Sequence, residues 1–196
     1  DRTAGANPIR QPLANLNEAG TLYGNIIYDK APIVMRQLEA IVGQANLRDG
    51  LREYLQTFAF GNATWPDLVS ILDKRTPEDL DKWSRTWVEE RGRPVVSLSQ
   101  RQGSIAITQT DPLGRSRVWP QNLRITLAYP DKTVDVTVLA RARNTVTKAP
   151  KDALPLYVLG NGGGIGYGLF VLDDVSRRYL LGHLGEIRDP LTRGAA

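Results

Sequence analysis

Apolar positions along the first half of the chain recur at helical spacing. From about Ile26, residues Ile27, Val34, Leu38, Ile41 and Val42 fall mostly on one face, and Gly43 supplies a stop. Pro32 falls in the first turn of this helix, where its missing N–H leaves no bond unmade. A second helix is predicted over Gln44–Phe58, burying Leu47, Leu51, Tyr54, Leu55 and Phe58. Two helix starts follow with the same chemistry. Thr64-Trp65-Pro66-Asp67 sets a hydroxyl N-cap, a first-turn proline and an acid at the positive end of the helix dipole, and Thr76-Pro77-Glu78-Asp79 repeats it. The later helix carries Leu80, Trp83, Trp87 and Val88 on one face and is expected to end at Gly92. Four helices are thus predicted over 21–92, behind a loop or tail over 1–20.

At Pro94 the period changes to two. Val96, Leu98, Ile105 and Ile107 alternate with polar residues, and the runs starting at Leu123 and Val134 do so more cleanly, joined by a Pro130-Asp131-Lys132 turn. Val158–Leu159 and Leu169–Leu172 add strands around a bend with six glycines in 160–168. This predicts a small antiparallel β-sandwich over 93–174. Val175, Tyr179, Leu180, Leu184 and Ile187 then return to helical spacing within 175–196. The predicted class is α+β: a helical segment, a sandwich and a C-terminal helix.

Composition narrows the chemistry. With 41% apolar residues among 196 a packed core can form. No cysteine means no disulfide framework, thiolate metal site or cysteine nucleophile within the chain, and His183 alone cannot build a histidine-rich metal site. No apolar run is long enough for a membrane-spanning helix. Asp1 in the place of a methionine suggests a longer parent protein.

The net charge of +4 is uneven, with 11 basic and 13 acidic residues over 1–92 but 14 and 8 over 93–196. Arg115, Arg117, Arg124, Arg141 and Arg143 make the β half basic, but no aromatics interleave with them. A solvated face is expected, rather than a nucleic-acid site. The glycines of 160–168 match no phosphate-binding motif, and a strand-connecting bend is expected there. Asn62-Ala63-Thr64 fits a glycosylation acceptor, although Thr64 is already explained as an N-cap. His183, among leucines, reads as a packed or solvent-edge side chain.

Several segments, in order, carry a family likeness. They are N-I-I-Y-D-K-A-P-I-V-M-R-Q-L-E (25–39), R-D-G-L-R-E-Y-L (48–55), G-N-A-T-W-P-D-L (61–68), W-V-E-E-R-G-R-P (87–94) and L-G-N-G-G-G-I-G-Y-G-L-F-V-L-D (159–173). Together they resemble the aminopeptidase N-like zinc aminopeptidases, the gluzincins of peptidase family M1, over about residues 21–193. The resemblance implies that residues 21–92 end a thermolysin-like catalytic domain. It also implies that 93–174 form the following β-sandwich domain and that 175–196 begin a further, truncated helical domain.

By the same resemblance, Tyr28 matches the catalytic tyrosine. Its phenol would donate a hydrogen bond to the oxyanion formed when zinc-bound water attacks the peptide carbonyl, and a phenol keeps its proton at neutral pH. Tyr23 matches a tyrosine that lines the substrate pocket. Asp29 and Lys30 belong to the motif as supports of the helix start. Ala31, followed by Pro32, stands where the family usually has glycine, which implies a different helix entry.

The family's H-E-x-x-H zinc motif and its amine-holding motif are absent. The resemblance therefore implies zinc in a full-length parent, with no metal expected in this chain and no activity from it alone. The implied partners are peptide substrates and the remaining domains of the same polypeptide. The competing expectation is a non-catalytic scaffold or interaction module.

Overall fold

In the computed structural model, which describes residues 7–15, 17–18, 20, 24, 26–101, 103–151 and 153–196, the chain divides into two compact units between Arg91 and Gly92. In the first unit the apolar spacing closes into helix α1 (Ala31–Val42), preceded by a π-helical turn, Ile26–Lys30. Val34, Leu38 and Val42 are buried, and Pro32 occupies the first turn. Gly43 ends the helix at a φ of 88°, a conformation that favours glycine.

Helix α2 (Gln44–Thr57) departs from the expected burial. Leu55 is exposed, Leu47, Leu51, Tyr54 and Phe58 are only half-buried, and Gly50 is the buried residue. At Gly50 the backbone presses against Leu72, so a close approach replaces a row of interlocking side chains.

Helix α3 (Trp65–Asp73) starts on the expected capping box. The Asp67 carboxylate accepts from the Thr64 amide at 2.8 Å and from the Thr64 hydroxyl at 2.6 Å. The hydroxyl bond, then the amide bond, holds the Asp67 carboxyl below the ordinary carboxylate range. The second predicted start is displaced. Thr76 only turns the chain, accepting from the Glu78 amide, and Asp79 is the N-cap of α4 (Leu80–Ser84), accepting from the Lys82 amide at 2.8 Å. A π-helical turn, Arg85–Glu89, continues α4 and ends before Gly92. Leu80, Trp83, Trp87 and Val88 are buried as their spacing requires. Near the start of the described residues, the Arg10 amide donates to the Val88 carbonyl at 2.9 Å.

The second unit is a sandwich of seven strands: β1 (Val95–Arg101), β2 (Ser104–Thr110), β3 (Gln121–Ala128), β4 (Thr133–Ala140), β5 (Asn144–Lys148), β6 (Tyr157–Leu159) and β7 (Leu169–Val171). One sheet has the order β5-β2-β1-β7 and the other β4-β3-β6. Val96, Ile105 and Ile107 of the first sheet meet Leu123, Ile125 and Leu127 of the second in one buried cluster. This alternation of inward apolar residues is what each strand's period of two demands.

The sandwich is not purely antiparallel, because β7 pairs with β1 in parallel, Val96 opposite Phe170. The glycine bend carries the chain from β6 in one sheet to β7 in the other, and the long crossover from β1 makes the parallel pairing possible. Within the bend Gly163 has a φ of 68°, and a Cβ on buried Gly162 would collide with the Thr126 hydroxyl. Asn161 clamps the bend by accepting from the Gly166 amide at 2.6 Å and donating to the Gly166 carbonyl at 3.2 Å.

Strand β5 was not anticipated from the pattern, since Asn-Thr-Val-Thr-Lys holds one apolar residue, and Val146 is itself exposed. Helix α5 (Asp174–His183) follows, capped by the Asp173 carboxylate on the Val175 and Ser176 amides. A short helix, α6 (Pro190–Ala195), which the pattern also did not indicate, starts on Asp189.

Candidate functional site

Tyr28 lies inside the π-helical turn that opens α1. The amides of Ile27 and Tyr28 both donate to the Gly24 carbonyl, at 3.0 and 3.1 Å, which fixes the start of the turn. Tyr28 is 66% exposed. Asp29 is exposed as well, whereas Lys30, two residues from Tyr28, is buried to 1%. The Lys30 ammonium donates to the Asn7 carbonyl at 3.4 Å. A π turn is a wide, uncommon backbone form found often at functional sites. This one presents a phenol to solvent while it drives a cation inward.

Tyr23, the other residue expected at the site, lies outside the described residues. The burial of Lys30 is what the sequence does not foretell. A lysine at a helix start ordinarily lies in solvent, and nothing in the local pattern separates it from one that is buried.

The remaining candidates resolve into structural parts. Among the described residues no three His, Cys, Asp or Glu side chains group so as to hold a metal ion, so these residues do not fit a zinc site of their own. His183 is exposed, stacks on Tyr179 with ring centroids 4.1 Å apart, and its Nδ1 lies 2.8 Å from the Tyr179 carbonyl oxygen. Arg115, Arg124, Arg141 and Arg143 are exposed, as expected of a solvated face. Arg117 is not, and this corrects the reading of it as part of that face. Its guanidinium donates to buried Asp111 at 2.9 and 3.2 Å and lies 4.7 Å from the centre of the Trp119 ring.

Burial of Asp111 opposes its ionisation. The bonds from the Arg117 side chain and from the Leu113 and Arg117 amides outweigh that burial and hold its carboxyl below the ordinary value. A cleft of about 700 Å³ in the second unit, between Arg124, Tyr157 and Arg188, is lined by four carboxylates, of which Asp135 and Asp189 hold structural bonds. Asp135 accepts from the Thr126 hydroxyl at 2.7 Å, and Asp189 caps α6 through the Thr192 amide at 2.8 Å.

The model of the peptidase family M1 domain matches residues 1–87, the part that includes the turn and α1 to α4. Aminopeptidase N of Streptomyces lividans is 27% identical over 213 aligned positions, covering 98% of this chain and 25% of that protein. Aminopeptidase M1-A of rice (Oryza sativa subsp. japonica) is 28% identical over 56% of this chain and 12% of its own length. A crystal structure of Legionella pneumophila aminopeptidase A in complex with aspartic acid shares the fold, with a TM-score of 0.72, 14% identity and coverage of 98% of this chain and 23% of that one. The chain is thus similar to aminopeptidases of peptidase family M1, with the family model matching over residues 1–87, and spans about a quarter or less of the length of these relatives.

Proposed function

We propose that this chain contributes the oxyanion-stabilising tyrosine, Tyr28, to a zinc aminopeptidase that removes N-terminal residues from peptides. The observation that carries the reading is the π turn Ile26–Lys30, which holds Tyr28 two-thirds exposed inside the segment that resembles the family's tyrosine helix. When water adds to a peptide carbonyl, negative charge develops on the carbonyl oxygen. A phenol O–H already in position stabilises that charge without reorganising. The bond forms fully only in the transition state, so the phenol raises kcat and leaves substrate affinity nearly unchanged.

In this reading residues 21–92 close the catalytic domain, 93–174 form the sandwich domain that follows it, and 175–196 open a helical domain. Tyr23 lines the substrate pocket. The zinc dependence rests on residues outside those described. The partners are peptide substrates and the other domains of the same polypeptide.

The test is Tyr28→Phe in the intact enzyme. The expected result is a loss in kcat on the order of 10²–10³ with KM nearly unchanged. An unchanged kcat would overturn the reading and favour a scaffold role.

A further inference from the structure

Strand β7 pairs with β1 only at Val95, Val96 and Ser97, after which the chain leaves for α5. β1 runs on to Arg101, held along its whole length by β2 on the other edge. Among the described residues no strand lies beside residues 98–101 where β7 has ended. Backbone groups of successive strand residues point to opposite edges. Just before β1 the Pro94 carbonyl accepts from the Leu169 amide at 2.9 Å, so the even-numbered residues here turn their backbone groups towards β7. By that alternation the backbone N–H and C=O of Gln100 face the open edge.

A groove of about 320 Å³ lies along this edge, lined by Leu98, Gln100, Leu154, Pro155, Val158 and Val175 among others. Val158 is buried and Leu98 packs against the core, while Leu154 and Val175 on the rim are 71% and 58% exposed. Asp173 is the one charged residue of the lining, and it is engaged. Its carboxylate accepts from the Ser176 hydroxyl at 2.6 Å, and that hydroxyl accepts from the Val158 amide at 2.8 Å. Gln100 is not engaged in this way. Its Nε2 is buried without a hydrogen-bond partner, a state that costs the desolvation a bond would recover.

These features set what fits. An open strand edge takes a backbone that both donates and accepts, an apolar groove takes an apolar side chain, and a buried N–H takes a carbonyl oxygen. An uncharged extended peptide supplies all three. An anion would meet only the Asp173 carboxylate, and a hydrocarbon would leave the edge and the Gln100 amide unmet.

We propose that this groove is a peptide-binding site. An uncharged, extended segment of a separate polypeptide takes the place that a longer β7 would occupy and sets an apolar side chain against Leu98 and Val158. The proposal does not rest on the reading of Tyr28, which belongs to the other unit.

The test is binding of a dye-labelled pentapeptide of alternating threonine and valine to the intact enzyme, followed by fluorescence anisotropy. The peptide is acetylated, so it offers no free N-terminal amine and aminopeptidase turnover does not enter the readout. Saturable binding is expected. Leu154→Asp, at an exposed position, should weaken it at least about 10-fold by setting a charge on the apolar rim. Gln100→Leu should weaken it about 2- to 10-fold with Tm unchanged or raised, since a buried N–H without a partner is gone. Methylating the valine amides, or separately the threonine amides, should abolish binding for one set and spare it for the other, because only alternate amides face β1.

Absence of saturable binding overturns the proposal, as does the same affinity for both methylated peptides. Unchanged affinity in either variant overturns it too. If sedimentation shows wild-type dimers that Leu154→Asp dissolves, the groove belongs to a second copy and the proposal fails. Should a variant not fold, the methylated peptides on the wild-type enzyme decide. Loss of kcat in Tyr28→Phe moves none of these readouts, so the two readings fail separately.

Discussion

Among the described residues Lys30 in the helical unit and Asp111 in the sandwich are buried charged side chains, and the two differ in what stands beside them. In the sandwich, Asp111 is matched by Arg117 six residues away, and four hydrogen bonds from Leu113 and Arg117 converge on its carboxylate. Trp119 closes the assembly under the guanidinium. In the helical unit, Lys30 is buried two residues from a tyrosine that faces solvent. The first arrangement is saturated within one loop and has no reactive group to serve. The second lies beside an exposed phenol, that of Tyr28. A buried charge is therefore informative only together with its neighbours, and the proposed role of Tyr28 turns attention to the helical unit.

Removing the saturated pair should produce the largest stability effect. Asp111→Ala leaves Arg117 largely buried without its counter-charge and should destabilise the sandwich by about 3–5 kcal/mol. Trp119, the one tryptophan after residue 92, reports this unfolding by its emission. The same pair sets an acid dependence. The folded pKa of Asp111 lies below its ordinary value of 3.8, so the unfolded chain takes up the proton first as pH falls. Its contribution to stability is complete above that ordinary value and is lost as pH drops through the lower folded one. The Asp111→Ala variant should lack that part of the acid slope. If its acid unfolding matched that of the wild type, Asp111 would not be the bolt described.

Smaller effects test the packing of the helical unit. Gly50→Ala drives a methyl group into the fully buried Leu72 side chain and should destabilise α2 and α3 by about 1–3 kcal/mol, read as faster hydrogen exchange in both helices. Leu55→Ala removes a large apolar side chain from the same helix, yet Leu55 is 69% exposed and the change should stay within about 0.5 kcal/mol. A reversed order would restore the ordinary amphipathic reading of α2.

That reading shows how far the sequence carries. The strands other than β5, the Thr64 cap, the Gly43 stop and the buried face of Leu80, Trp83, Trp87 and Val88 were legible, because burial there follows the period of the backbone. Leu55 was misread because α2 packs through its backbone at Gly50, and periodicity counts side chains only. Asp79 displaced Thr76 as a cap because either residue can start a helix, and tertiary packing chose between them.

Strand β5 escaped because its partners are donors and acceptors of β2, which its own polar sequence does not reveal. The motif singles out Tyr28 for a role that remains a proposal; its π turn and the burial of Lys30 are not legible, since Lys30 contacts chain far from the motif, at Asn7.

The central claim is that Tyr28 acts on the transition state. It is tested most directly by the affinity of the intact enzyme, wild type and Tyr28→Phe, for a tetrahedral mimic of the hydrated peptide bond and for an unreactive substrate analogue. The account predicts that the variant binds the mimic about 10²–10³-fold more weakly and the analogue with nearly unchanged affinity. Equal affinity of the two enzymes for the mimic would contradict it.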